Sequence, residues 1–301
     1  MTKVSVIVPT CGAPTLLAAA IDSVFAQTSG DWELITVDDN DPDTADRRET
    51  QAVLAPYLAD GRVRYLLHPH NRGGSAARNT GLAAAAGEYV AFLDADDAYR
   101  PARLARCSAL LDAQSESVAG VYTGVEFRRN GRRYHVTRSV RPGRFAREAL
   151  ACTFPFGTGS NLFLRRSCAE ALGGFDEAFA RHQDYELLAR LFRSWELAAI
   201  PEPLVVKNND NRFLPDARRL IAVKEQYLAK FAFDIEALDA ASQAYIRRSH
   251  YLQIAEAALR EGDRVLAGDY YRKARGYGAL SPKQALRRLA LEGRCVRTCS
   301  V

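Results

Sequence analysis

Gly87-Glu88-Tyr89-Val90-Ala91-Phe92-Leu93-Asp94-Ala95-Asp96-Asp97 is the stretch on which the fold turns. Residues 89–93 are apolar and read as a buried strand, after which the chain delivers three carboxylates into a loop. Three unpaired carboxylates repel one another, so the arrangement is costly without a cation. A hard divalent ion such as Mg²⁺ or Mn²⁺ takes one or two carboxylates and completes its shell with water and phosphate oxygens, and an ion so held neutralises a diphosphate. The bland reading is an aspartate capping a helix that begins near Pro101. One aspartate suffices for a cap, so three point beyond it.

Upstream, strand and helix signals alternate. Residues 4–8 form a β-branched run, and 14–26 carry apolar residues at helical spacing (Leu17, Ile21, Val24, Phe25), with Pro14 suited to a first turn. Further strands are expected over 32–37 and 62–67, and helices over 44–58, 75–86 and 101–113. This order predicts an α/β fold, a mixed and mostly parallel sheet sandwiched by helices. Ligands on such sheets bind beyond the carboxyl ends of the strands, and a second acidic run, Val37-Asp38-Asp39-Asn40, ends the second strand. A carboxylate there can accept the imide N–H of a uracil or a ribose hydroxyl; a solvated turn is the other reading.

Two more segments bear on chemistry. Asn71-Arg72-Gly73-Gly74-Ser75-Ala76-Ala77-Arg78-Asn79-Thr80-Gly81 leads from the third strand into an Ala-rich helix. Its glycines permit close ligand approach, Ser75 is a candidate cap, and Arg78 can meet phosphate or carboxylate. It is neither the dinucleotide fingerprint nor a P-loop, because it lacks a third glycine at the right offset and a Gly-Lys-Ser/Thr. His182-Gln183-Asp184-Tyr185-Glu186 opens an amphipathic helix. Asp184 reads either as its N-cap or as a general base aimed at an acceptor hydroxyl, an effect of ~10²–10⁴ in rate. Gly157-Thr158-Gly159-Ser160-Asn161 is either a turn or a wall for that acceptor.

Residues 118–127 and 132–138 flank Arg129-Asn130-Gly131, a hairpin signal; 198–200 and 204–206 are short strand candidates. From about 215 the chain reads as helical, with 245–261 and 264–275 forming a helical hairpin. The 301 residues are 48% hydrophobic and 26% charged, which excludes a fully disordered chain. A net charge of +5 is too mild for a nucleic-acid binder, and no matching motif is present. The excess is local: eight arginines and no acid fall within 127–147. Residues 270–298 hold eight Lys/Arg against Glu292 alone. There Leu286, Leu289 and Ala290 can form the apolar face of a surface-lying helix, solvated helix faces being the plainer reading. Six cysteines (11, 107, 152, 168, 295, 299) complete no zinc set and are expected as reduced thiols. No apolar run approaches the ~20 residues of a membrane span. The first residues lack a signal-peptide layout, which predicts a cytoplasmic protein.

Together these segments resemble glycosyltransferase family 2, the inverting GT-A fold, over about residues 3–206. The matched order is 4–10, Val37-Asp38-Asp39, 71–81, 87–97, Gly173-Gly174-Phe175-Asp176, then Gln183-Asp184. The resemblance implies a GT-A catalytic domain over 1–212, with a nucleotide half at about 1–115 and an acceptor half at about 116–212. A helical region over 213–301 follows it. It implies that Pro9, Thr10 and Asp39 receive the nucleotide base, with Asn71 and Arg78 as further nucleotide contacts. Asp94 and Asp96 match the Asp-x-Asp pair: Asp96 is the better metal ligand and Asp94 lies nearer the ribose or metal, for Mn²⁺ or Mg²⁺. Asp184 matches the catalytic base. The implied reaction moves one sugar from a nucleotide sugar, a UDP-sugar by preference, to a glycan or lipid-linked acceptor, in bacterial surface polysaccharide synthesis. Peripheral contact with the inner face of the membrane would suit that setting.

Three departures stand out. Gln183 replaces the usual Glu before the base. Lys207-Asn208-Asn209-Asp210-Asn211-Arg212 offers no His where many members place another metal ligand. The Gln-x-x-Arg-Trp signature of processive members is missing, which implies one sugar per encounter. The first two departures keep open a non-catalytic interaction protein built on a transferase-like domain. A nucleotidyltransferase is a weaker alternative, since Thr10-Cys11-Gly12-Ala13-Pro14 supplies no cation after the first strand.

Overall fold

A computed structural model describes residues 2–12, 16–208, 216–282, 284–286 and 288. The expected helix start at Pro14, the segment 209–212, Leu289 and Ala290, and Cys295 and Cys299 lie outside the described residues.

The strands are β1 (Val4–Thr10), β2 (Trp32–Asp38), β3 (Val63–Leu67), β4 (Tyr89–Phe92), β5 (Ala98–Tyr99), β6 (Val118–Arg129), β7 (Arg132–Thr137), β8 (Phe163–Arg165) and β9 (Glu196–Asn208). They form one mixed sheet in the order β3-β2-β1-β4-β8-β6-β9-β5, with β7 paired to β6. The β3-β2-β1-β4 half is wholly parallel. β6 runs parallel to β9, while β8 is antiparallel to both β4 and β6. All of β2, and all of β1 except Pro9, is buried, as expected for central strands covered on both faces. Around the sheet lie α1 (Leu17–Phe25), α2 (Ala45–Leu54), α3 (Gly74–Ala84) and α4 (Arg103–Asp112). The order reverses at β1, which has β2 on one side and β4 on the other. A crevice opens at such a switch point, beyond the carboxyl ends of the strands.

Two readings change. The short strands expected at 198–200 and 204–206 are one strand of 13 residues. Pro201 and Pro203 are accommodated because the pairing with β6 jumps between Thr123 and Gly124, so that Gly124 meets Pro203. A side chain at Gly124 would sit 2.9 Å from the carbonyls of Pro201 and Glu202, which is why glycine stands opposite the bulge. Second, Ser75 does not cap α3. Gly73, with φ +91°, holds the N-cap position, and Ser75 lies inside the helix.

The chain forms two compact units, 1–145 with 155–212, and 146–154 with 213–301. The first also contains α6 (Arg166–Ala171) and α7 (Gln183–Leu191). The second contains α5 (Ala146–Leu150), α8 (Ala217–Lys230), α9 (Ala232–Glu236), α10 (Ala240–Glu261) and α11 (Arg264–Arg275). Within it, α10 and α11 form the expected hairpin: Gly262, at φ +83°, ends one helix, and the Asp263 side chain accepts from Leu266 N–H to begin the next. Tyr227, His250 and Gln253 reach the backbone carbonyls of Ala149, Leu150 and Ala151, which seats 146–154 in this helical unit. Among the described residues no helix is long and apolar enough to cross a membrane.

Candidate active site

The first parallel half builds a cleft of about 160 Å³ at the switch point. It is lined by Pro9, Thr10, Cys11, Asp39, Gly74, Ala77, Arg78 and Asp94. Five of the expected nucleotide contacts, Pro9, Thr10, Asp39, Arg78 and Asp94, therefore line one cleft. Asn71 is not, among the described residues. Its amide donates to the Asp39 carbonyl at 2.9 Å and the Cys11 Sγ at 3.1 Å, which ties two loops together.

The acidic end of β2 is no solvated turn. Asp38, Asp39 and Asn40 are all at most 3% exposed. Asp38 pairs with Arg47 and accepts from the Tyr65 hydroxyl. The Asp39 carboxylate accepts the N–H groups of Arg72 and Gly73, each at 2.8 Å, and contacts His68 Nδ1 at 2.7 Å. Asp39 thus holds the glycine loop that opens α3. A carboxylate offers about four lone-pair sites, and these contacts use three of them.

From α3 the Arg78 guanidinium spans two elements. It donates to Asp94 Oδ1 at 2.6 Å and to Gln183 Oε1 at 2.7 Å. Gly74 clears its path, since a Cβ there would lie 3.1 Å from the guanidinium. Asn79 exchanges two hydrogen bonds with the backbone of Phe175, which fastens the Gly173-Gly174 turn to the same helix.

The carboxylates of Asp94, Asp96 and Asp97 bring oxygens within 4.8 Å of one another. None caps α4, whose N-cap position is Ala102 without a side-chain bond. Asp97 is buried and accepts from the hydroxyls of Thr158 (3.0 Å) and Ser160 (2.6 Å), from Asn208 N–H (3.2 Å) and from Lys207 Nζ (3.3 Å). Ser160 also accepts Asp94 N–H. The segment 157–161 therefore supports the acidic loop. Beneath it the buried Arg103 donates to Ser160 O and Asn161 Oδ1. Burial pushes the Asp94 carboxyl up, but Arg78 and Lys207 outweigh it and the net shift is downward. Burial raises Asp96 and Asp97 despite the opposing pull of Lys207. Three oxygen donors beside a cleft are the donor chemistry of a hard divalent cation.

Asp184 is not the N-cap of α7. That position is His182, held left-handed at φ +61°, and Asp184 stands in the first turn. Burial pushes its carboxyl up to about 6, with Asp94 adding and Arg78 and Lys207 opposing. Gly159 brings its backbone against this carboxyl, for a Cβ there would lie 2.8 Å from Asp184 Oδ1. Sequence reasoning missed Lys207, Arg103 and Cys11 as parts of the site. A lysine near the end of a strand and an arginine opening a helix have no signature that separates them from surface residues.

Residues 5–173 match the family model described as Glycosyl transferase family 2. Among similar proteins is the amylovoran biosynthesis glycosyltransferase AmsB of Erwinia amylovora, 28% identical over 69% of this chain and 70% of its own length. Succinoglycan biosynthesis protein ExoO of Rhizobium meliloti is 29% identical over 77% of this chain. The chain spans just 64% of ExoO. The Escherichia coli UDP-Glc:alpha-D-GlcNAc-diphosphoundecaprenol beta-1,3-glucosyltransferase WfgD is 36% identical over 31% of this chain and 35% of its own length. Solved structures share the fold. S. aureus TarS 1-349 in complex with UDP superposes with TM-score 0.58 at 16% identity, covering 91% of this chain and 90% of that one. Mannosyltransferase PcManGT from Pyrobaculum calidifontis, in complex with GDP-Man and Mn²⁺, gives 0.56 at 21% identity over 96% and 79%. The sheet is thus the GT-A fold that the motif order implied, and the chain belongs to glycosyl transferase family 2.

Proposed function

We propose that this protein moves a single sugar from a nucleotide sugar, a UDP-sugar by preference, to a hydroxyl of a glycan or lipid-linked acceptor. The anomeric carbon is inverted, and the reaction is a step in bacterial surface polysaccharide synthesis on the cytoplasmic side. The observation that carries this reading is the Arg78 bridge. One guanidinium joins Asp94 in the cleft wall to Gln183 at the start of α7, which ties the helix presenting Asp184 to the cleft. The names of AmsB and ExoO support the setting, and that of WfgD supports a diphosphate-lipid acceptor. The arginine-rich segment 128–147 suits such an acceptor and peripheral contact with an anionic membrane face.

In this mechanism Asp184 accepts the proton of the acceptor hydroxyl as the oxygen attacks the anomeric carbon. The bond from that carbon to the diphosphate oxygen breaks on the opposite face, and the nucleoside diphosphate departs with the electron pair. A base raised to about 6 is stronger than a solvated aspartate yet mostly ionised at neutral pH. Pro9, Thr10 and the remaining acceptor position of Asp39 receive the base of the donor, while Arg78 fixes the Asp94 carboxylate. Asp96, with Asp94 beside it, would hold Mn²⁺ or Mg²⁺. Such an ion, when bound, neutralises the charge that grows on the leaving diphosphate.

UDP release from UDP-sugars, with and without divalent metal, tests the reading. Activity should need metal and vanish in both Asp96→Ala and Asp184→Ala; turnover retained in both variants eliminates the assigned roles. A wild-type protein that binds no UDP with Mn²⁺ in a calorimeter favours the non-catalytic interaction protein. Release of pyrophosphate from UTP and a sugar 1-phosphate, with no UDP released from UDP-sugars, marks a nucleotidyltransferase.

A further inference from the structure

Lys207 sits at the acidic rim, and the mechanism above gives it no part. It is the penultimate residue of β9, with its side chain only 20% exposed, 3.3 Å from the Asp97 carboxylate and 3.9 Å from Asp94 Oδ2. Asn208 follows, with its N–H on Asp97 and its side-chain amide on the Asp96 carbonyl. Asp97 also takes the hydroxyls of Thr158 and Ser160. Its oxygens are thus occupied by donors from two segments, and the nearest cation is on the chain itself. Asp94 and Asp96 are less enclosed: Asp94, though paired with Arg78, is 24% exposed on its side chain and lines the cleft, and the Asp96 side chain makes no ion pair among the described residues.

We propose that Lys207 is a resident counter-charge of the acidic cluster. It withholds Asp97 from metal coordination, so that a divalent ion is held by Asp94 and Asp96 alone and weakly, and it adds its own positive charge to the site that receives the diphosphate. This rests on the reading of Asp94 and Asp96 as the diphosphate-metal site. The physical reasons are two. An ammonium beside a carboxylate cluster repels a second cation over the same few ångströms. A strongly hydrated point charge with three donors is also a good partner for phosphate oxygens.

Direct binding measurements on the full chain test this without turnover. Mn²⁺ is titrated by electron paramagnetic resonance of the free ion, and UDP by calorimetry with and without Mn²⁺. The proteins compared are the wild type, Lys207→Met, Lys207→Gln, Lys207→Arg and Asp96→Ala, each checked by its thermal melt. In the wild type UDP should bind measurably without metal. Lys207→Met should bind Mn²⁺ about tenfold more tightly and metal-free UDP about tenfold more weakly, and Lys207→Arg should stay near wild type in both. If Lys207→Met does not fold, Lys207→Gln carries the same comparison. Mn²⁺ affinity that stays level or falls in a folded Met or Gln variant overturns the proposal. An Asp96→Ala protein that binds Mn²⁺ like wild type overturns the metal site itself, while the metal-free UDP arm still reads the role of Lys207. A wild type that binds neither ligand overturns both.

Discussion

Asp184→Asn separates a catalytic carboxyl from a capping one. Asparagine keeps the shape but cannot take a proton, so a general base of this kind should lose about 10²–10⁴ in rate. The wild-type profile carries a matching signature. With its carboxyl raised to about 6, Asp184 is about nine-tenths ionised at pH 7 and about one-tenth at pH 5. Accordingly kcat/KM for UDP release should fall roughly tenfold between those values, and the Asn variant should lack that limb. Stability moves the other way. The carboxyl titrates higher in the folded than in the unfolded chain, so the fold is favoured while the group is protonated. That advantage is lost as pH climbs from about 4 through about 6. A rise from 3.8 to about 6 disfavours the charged form by about 3 kcal/mol, and partial exposure reduces this to about 1–2 kcal/mol. Asp184→Asn should therefore melt a few degrees higher than wild type at pH 7.5, with the gain gone near pH 4. A variant that retains a tenth of the activity, or melts lower at neutral pH, refutes the assignment of a partly buried, catalytically used carboxylate.

Three further substitutions probe the same geometry. Arg78→Met strips Asp94 of its guanidinium and should cost about 2–4 kcal/mol in urea unfolding; it should also move the acid limb of the rate profile upward, because Arg78 holds Asp184 down. Asp39→Ala leaves the N–H groups of Arg72 and Gly73 without their acceptor, at about 2–4 kcal/mol, with faster amide exchange over 71–74 and weaker UDP binding by calorimetry. Gly159→Ala places a methyl 2.8 Å from Asp184 Oδ1 and should swing the carboxyl aside. We expect kcat lowered at least tenfold with donor KM unchanged, and unfolding altered by no more than about 1 kcal/mol, since a side-chain tip yields cheaply.

The parts of this site that were legible in the sequence are those whose chemistry is local. An apolar run that breaks into Asp94-Ala95-Asp96-Asp97 announces a strand end and a charge problem together, and alternating signals from 4 to 113 leave few topologies that bring such ends to one edge. Asp184 was legible only as a choice between cap and base. The structure removes the cap, because His182 holds that position in a left-handed turn that no propensity singles out. Asp39 shows the reverse case: its residue type suggested a ligand contact, yet most of its hydrogen-bonding capacity goes to the loop at 72–73, more than thirty residues away. Lys207 and Asp97 meet across 110 positions, and a pairing at that distance imposes no periodicity on either segment. The same holds for 146–154, whose backbone is claimed by α8 and α10. What a chain this long conceals is the counter-charge rather than the charge. Clustered carboxylates can be read from a few neighbouring letters, whereas the donors that decide which of them is free for a ligand arrive from distant strands and become visible only when the sheet is assembled.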